Sequence, residues 1–247
     1  MSALDEILKE MMKNVPADLG VDRTFGFGDI RRVIGIAEAA ISQHSTATSN
    51  ALSAAALNAA KNPAHDFVSK PIFAGASLEL FNVDWTFARL FRASLLIAIY
   101  SHTEYLLLSW CESVAQDEDV ARDLRRTRTG ESYPARYLRF LRDEAGIAIG
   151  DFTSWPEWSA IDAYRRARNA LAHRGGVVED PDDRARINTL TSVFVDDDVP
   201  ELREPLVCIG PGGCEAAIDI AQAFVGRAVA IAERDPRWNG SPVSRGG

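Results

Sequence analysis

The most apolar stretch of the chain is VDWTFARLFRASLLIAIYSHTEYLLLSWCESVAQ, from Val83 to Gln116. Its apolar residues cover more than one face at helical spacing, which predicts a long helix at the centre of a bundle. Arg92 at its edge, and His102 and Glu104 within it, fit a buried core helix better than a membrane span. Upstream, a short helix is expected near Leu4 to Lys13 and a longer one from about Gly28 to Lys61. The segment QHSTATSN can interrupt the second, because Ser, Thr and Asn compete for backbone hydrogen bonds. KNPAHDFVSKP then reads as a loop or linker.

Downstream of the arginine-rich connection ARDLRRTRTGES, a helix is predicted from Pro134 to about Glu144, with Tyr137, Leu138 and Leu141 facing inward. FTSWPEWSAIDAYRRARNALAHRGG carries its own start and stop signals. Ser154 reads as N-cap, Pro156 lies in the first turn, Glu157 completes a capping box, and Gly175 and Gly176 end the helix. Residues 177–210 contain turn and acid clusters (EDPDD, DDD) and short apolar runs (TSVFV, PLVCI), which predicts an irregular insertion or small hairpin. CEAAIDIAQAFVGRAVAIAER closes the chain as an amphipathic helix. The expected fold class is all-α: an N-terminal helical extension over residues 1–70 and a helical bundle domain over 71–247.

Composition narrows the function. Of the 247 residues, 47% are hydrophobic, so a packed core is available. The formal net charge of −8 argues against a protein that coats nucleic acid or anionic membrane through bulk charge, so any nucleic-acid contact must be local. No lysine follows Lys70 while arginine recurs; arginine suits planar, bidentate phosphate recognition, although GC-rich codon usage gives the same bias. Cys111, Cys208 and Cys214 form neither a CxxC nor a paired framework, which fits a reducing, cytoplasmic setting. The first residues, MSALDEILKEMMKNVPADLG, lack the basic start and apolar core of a secretory signal.

The chemistry-bearing stretch is RRARNALAHRGG, residues 165–176. At about 100° per residue, Asn169 and His173 share a face, whereas Arg168 lies about 140° from His173, on the side of Ile161. A half-buried arginine calls for an acid, and Glu104, costly among apolar neighbours unless a cation meets it, is the natural candidate. His173 falls in the last turn, where the negative end of the helix dipole favours a cation, and histidine exchanges protons near neutral pH. The spacing therefore supplies a proton-transfer group, a phosphate-binding cation and an orienting amide. No His, Cys, Asp and Glu constellation with metal-ligand spacing accompanies them, so neither metal nor cofactor is expected.

RNALAH, in this helical context, resembles the signature of the HEPN superfamily, an arginine followed by a polar residue and then by a histidine four to six positions on. The resemblance spans about residues 83–234. It implies an all-α bundle that dimerises with the two motifs meeting, and a metal-independent endoribonuclease, often a toxin or antiviral effector, that leaves a 2′,3′-cyclic phosphate. Carried onto this chain, His173 is the acid–base residue, Arg168 binds the scissile phosphate and Asn169 orients the pair. Glu104 is a supporting partner of Arg168, an assignment from chemistry rather than from the resemblance. Arg165, Arg166 and Arg174 are the candidate RNA-binding arginines, and RNA, a second copy and a cognate antitoxin or other partner protein are the expected partners, with no membrane. Toxins of this superfamily silenced by nucleotidylation carry a tyrosine two residues after the histidine, where this chain has Gly175. The alternative is a non-catalytic HEPN-like module that binds RNA or a partner protein.

Other features carry less. His102 reads as a core histidine, and His44 and His65 are assigned no role. GPGGCEAA places glycines before a helix but lacks the lysine and hydroxyl of a P-loop, so it reads as a turn. Arg122, Arg125, Arg126 and Arg128 form a local basic patch beside an acidic DED, which reads more readily as a solvated loop than as an RNA guide.

Overall fold

The structure, a computed structural model, describes residues 26–61, 74–75, 77–78, 86–115, 120, 123–124, 132–196 and 204–235. The expected helix near Leu4 to Lys13, the linker through His65 and the arginines at 122, 125, 126 and 128 lie outside these residues. The chain divides into two compact units, Met1–Leu95 with Ile209–Pro211, and Leu96–Cys208 with Gly212–Gly247. Among the described residues the architecture is mainly helical, with one two-stranded sheet.

In the first unit, α1 runs from Phe27 to Lys61. Its buried face is Phe27, Ile30, Ile34, Ala37 and Ile41, an alternating three- and four-residue spacing that keeps one stripe turned inward. Asp29 accepts a hydrogen bond from the Gly26 N–H at 3.0 Å, satisfying a donor at the helix start. The break expected at QHSTATSN does not occur, and α1 is continuous through it. Gln43, Thr46, Ser49 and Asn50 are exposed, His44 and Ser45 are half-buried and Thr48 is buried, and the alanine-rich sequence that follows favours helix. Helix α2, Ala88–Val114, begins in this unit. There Ala88 packs with Ala40 and Ile41, flanked by Phe87 and Phe91. Arg92 is buried and grips Glu38 with two bonds of 2.6 Å.

In the second unit, α2 buries Leu96, Ile99, Tyr100, Leu107, Trp110 and Cys111. The Cys111 thiol donates to the Tyr137 carbonyl on α3, Tyr133–Asp143, at 3.4 Å. Helix α3 is capped by Ser132 and buries Tyr137, Leu138 and Leu141 as the sequence pattern requires. All three cysteines are buried thiols. No helix among the described residues is long and apolar enough to cross a membrane.

Helix α4, Trp158–His173, holds the candidate chemistry and is fixed at both ends. Its start departs from the sequence expectation. Ser154 belongs to a preceding 3-10 turn, Phe152–Ser154, which Asp151 caps by accepting from the Thr153 N–H at 3.0 Å. Glu157 makes no capping bond; its carboxylate instead receives two 2.9 Å bonds from Arg227 on α6, Gly213–Ala232. A long-range ion pair has taken the carboxylate that a capping box would use. Beside it, Trp155 and Trp158 pack against Phe224 of α6.

At the other end, Gly175 (φ 62°) and Gly176 (φ 96°) turn the chain through left-handed backbone. The N–H groups of Arg174 and Gly176 both donate to the Ala170 carbonyl at 2.9 Å. Val177 then pairs antiparallel with Leu206 at the start of β2, Leu206–Ile209. The described residues between 177 and 210 include the expected small pairing of strands and also a helix that the sequence pattern did not predict. EDPDD, read as a turn, opens a short helix α5, Pro181–Ile187, whose cap Asp180 accepts from the Asp182 N–H at 2.8 Å. Strand β1, Val193–Asp196, pairs with β2.

Gly176 tests how firmly the end of α4 depends on backbone conformation. A Cβ there meets Leu171 at 3.5 Å and Leu206 at 3.7 Å, ordinary contacts, so the strain of a positive φ is the main cost. Gly176→Ala is expected to lower the unfolding free energy by about 1–2 kcal/mol, measured by urea denaturation; an unchanged midpoint would show that the turn carries no strain.

Candidate functional site

Arg168 leaves α4 on its half-buried side and meets α2. Its Nη2 lies 3.8 Å from Glu104 Oε2, with the two side chains 22% and 15% exposed. Its Nη1 donates to Asn169 Oδ1 at 3.0 Å. Its Nε is buried and has no acceptor among the described residues. The guanidinium carbon sits 5.9 Å from the centre of the Tyr100 ring. Arg168 is thus an under-coordinated cation.

Other arginines of the fold are held differently. Arg92 and Arg227 each make two close bonds to one carboxylate. Arg165 donates twice to Asp162, at 3.0 and 2.8 Å. Arg166 bridges Asp162 and Asp183, and Arg174 lies 3.6 Å from Asp183. The three candidate RNA-binding arginines therefore share two aspartates, and these five side chains together keep a net charge of only +1. Burial would raise the Asp162 pKa, but the bonds from Arg166 and Arg165 outweigh it and hold the carboxyl below its ordinary value. Asp162 was legible in the sequence as an acid one turn before both arginines; Asp183 arrives through tertiary packing.

Glu104 has the opposite balance. Burial pushes its pKa up from 4.5 to about 7, and the Arg168 charge pulls only partly against it. At 3.8 Å the pair lacks the close hydrogen bonds that would keep the carboxylate fully ionised. Tyr100 and Tyr137 are raised by burial first and by the Glu104 charge second, so both phenols stay protonated.

His173 is exposed in the last turn of α4, and its side chain makes no hydrogen bond or ion pair among the described residues. The structure therefore joins Arg168, Asn169 and Glu104, and adds Tyr100, but links His173 to none of them by a hydrogen bond or ion pair. His102, expected in the core, is half-buried and stacks on the exposed Tyr105 with ring centres 6.3 Å apart. Among the described residues no three His, Cys, Asp or Glu side chains are placed to hold a metal ion. No protein-family model, curated protein or solved structure matches the chain.

The raised Glu104 pKa gives stability a pH signature. Between 4.5 and about 7 the folded chain holds a proton that the unfolded chain has released, so stability is greatest below that window and falls as pH rises through it. At about 1.4 kcal/mol per tenfold in proton affinity, the loss is on the order of 3 kcal/mol. His102, whose pKa burial lowers, contributes the opposite slope, with stability lost as pH falls below 6.5. The comparison with Glu104→Gln isolates the carboxyl: unfolding free energies measured across the window should decline with pH in the wild type relative to the variant. Parallel curves would refute the buried, weakly paired carboxyl.

Proposed function

We propose that the chain is a metal-independent endoribonuclease of HEPN type, acting as a toxin or antiviral defence effector, with the HEPN-like bundle formed by the helices around α4. The observation that carries the reading is Arg168: a half-buried guanidinium whose Nη2 stands 3.8 Å from its acid without a hydrogen bond, beside a carboxyl that burial makes reluctant to ionise. Such a cation has affinity to spare for an oxyanion, and a phosphodiester is the oxyanion that the neighbouring Asn169 and His173 suit.

In the reaction, neutral His173 takes the proton of a ribose 2′-hydroxyl, and the 2′-oxygen attacks phosphorus. The bond from phosphorus to the 5′-oxygen breaks, and that oxygen departs with a proton from an imidazolium. The products are a 2′,3′-cyclic phosphate and a 5′-hydroxyl. Arg168 stabilises the charge that builds on the phosphoryl oxygens. A homodimer would supply one histidine as base and a second as acid. RNA is the substrate, and a cognate antitoxin is the partner that would keep such an activity in check in the cytoplasm.

The pairing of Arg165, Arg166 and Arg174 with Asp162 and Asp183 favours a second reading, a non-catalytic module that binds RNA or a partner protein, because those arginines have little charge left for a nucleic-acid backbone. RNA cleavage in EDTA decides between them. The nuclease reading expects cleavage with cyclic-phosphate ends, reduced by about a hundredfold or more in His173→Ala. Wild-type protein that binds RNA without cutting it, or activity that survives His173→Ala, would overturn the site.

A further inference from the structure

Hydrogen bonding fixes the Arg168 guanidinium only in part. Asn169 holds one nitrogen, Glu104 stands off at 3.8 Å, and Nε has no partner among the described residues. Tyr100, only 3% exposed, is a further neighbour, its ring centre 5.9 Å from the guanidinium carbon. That distance lies within the roughly 6 Å over which an aromatic face attracts a cation. Tyr100 precedes Glu104 by one turn of α2, so the two share a helix face and approach the same guanidinium together.

The choice of an aromatic support has a chemical consequence. A carboxylate gripping Arg168 with two bonds, as Glu38 grips Arg92, would both orient the cation and occupy its donors. A ring face orients a planar cation while leaving its edge N–H groups available. The Tyr100 hydroxyl is buried and finds no acceptor among the described residues, so it does not itself fasten Arg168.

We propose that Tyr100 is a positioning residue for Arg168, its ring holding the partly exposed guanidinium so that Nη2, which no hydrogen bond occupies, meets the phosphodiester. The inference rests on the nuclease reading for its function but on the Tyr100–Arg168 geometry for its structure, and the two fail separately. The test is a double-mutant cycle of wild type, Tyr100→Leu, Arg168→Ala and the double variant, assayed for kcat/KM on an RNA oligonucleotide, with helical content and unfolding midpoint followed alongside.

Tyr100→Leu is expected to lower kcat/KM about tenfold, Tyr100→Phe to recover most of that loss, and Tyr100→Leu to cause less than about a twofold further loss once Arg168 is alanine. Should Tyr100→Leu fail to fold, Tyr100→Met, which fills the space more flexibly, takes its place. Equal losses in the leucine and phenylalanine variants, or losses that simply multiply in the double variant, would overturn the proposal. If the wild type cleaves no RNA, the nuclease reading falls, and the cycle is read instead in the unfolding equilibrium constants of the same proteins. Non-additivity of about fivefold then keeps the Tyr100–Arg168 link, and additivity refutes it.

Discussion

The arrangement around α4 depends on the cost of taking charge out of water. Glu104 and Arg168 are each mostly shielded by their surroundings, and each loses hydration that a 3.8 Å separation only partly returns. The carboxyl responds by holding its proton to about neutral pH. The guanidinium lies over an aromatic face, 5.9 Å from the centre of the Tyr100 ring. One shared constraint thus produces both a weakly acidic carboxyl and an unsatisfied cation.

The surrounding fold makes that imbalance persistent. Arg165 and Arg166 find Asp162 on their own helix, whereas the acid nearest Arg168 belongs to α2, so its distance depends on how α4 is held. The helix is held at its start by the Glu157–Arg227 pair and by Trp158 against Phe224. At its end it is held by the left-handed Gly175–Gly176 turn and the pairing of Val177 with Leu206. Anchors at both ends fix the face from which Arg168 emerges.

The helices were legible where one residue pattern decided them. The inward spacing of Tyr137, Leu138 and Leu141, and the double glycine after His173, each act within a single turn, and the structure carries them as read. The errors arose where a distant partner or a short element intervened. Ser154 and Glu157 have the spacing of a capping box, but Arg227, 70 positions away, claims the carboxylate. The acid cluster after Glu179 resembles a turn because Asp180 and Pro181 are also what begins a seven-residue helix too short to show a period. At the site, the pairing of Arg168 with Glu104 follows from the scarcity of acids on α2. The place of Tyr100 beneath the guanidinium does not follow, since spacing along one helix cannot specify which side chain of another lies under it.

The separation between Arg168 and His173 carries a consequence for any chemistry on α4. Five residues of helix advance about 500° around the axis and about 7.5 Å along it, so the two side chains leave the backbone on different faces. Arg168 is drawn back towards α2 by Glu104 and Tyr100, while His173 stands in solvent at the helix end. If Arg168 seats a phosphodiester, no hydrogen bond or ion pair ties that arginine to the histidine of the same helix. On the nuclease reading, a facing copy solves the problem by symmetry, because an exposed histidine at one helix end can be presented to the arginine of the other. The exposure of His173, which in isolation describes an ordinary helix terminus, is then the condition that makes a composite site reachable.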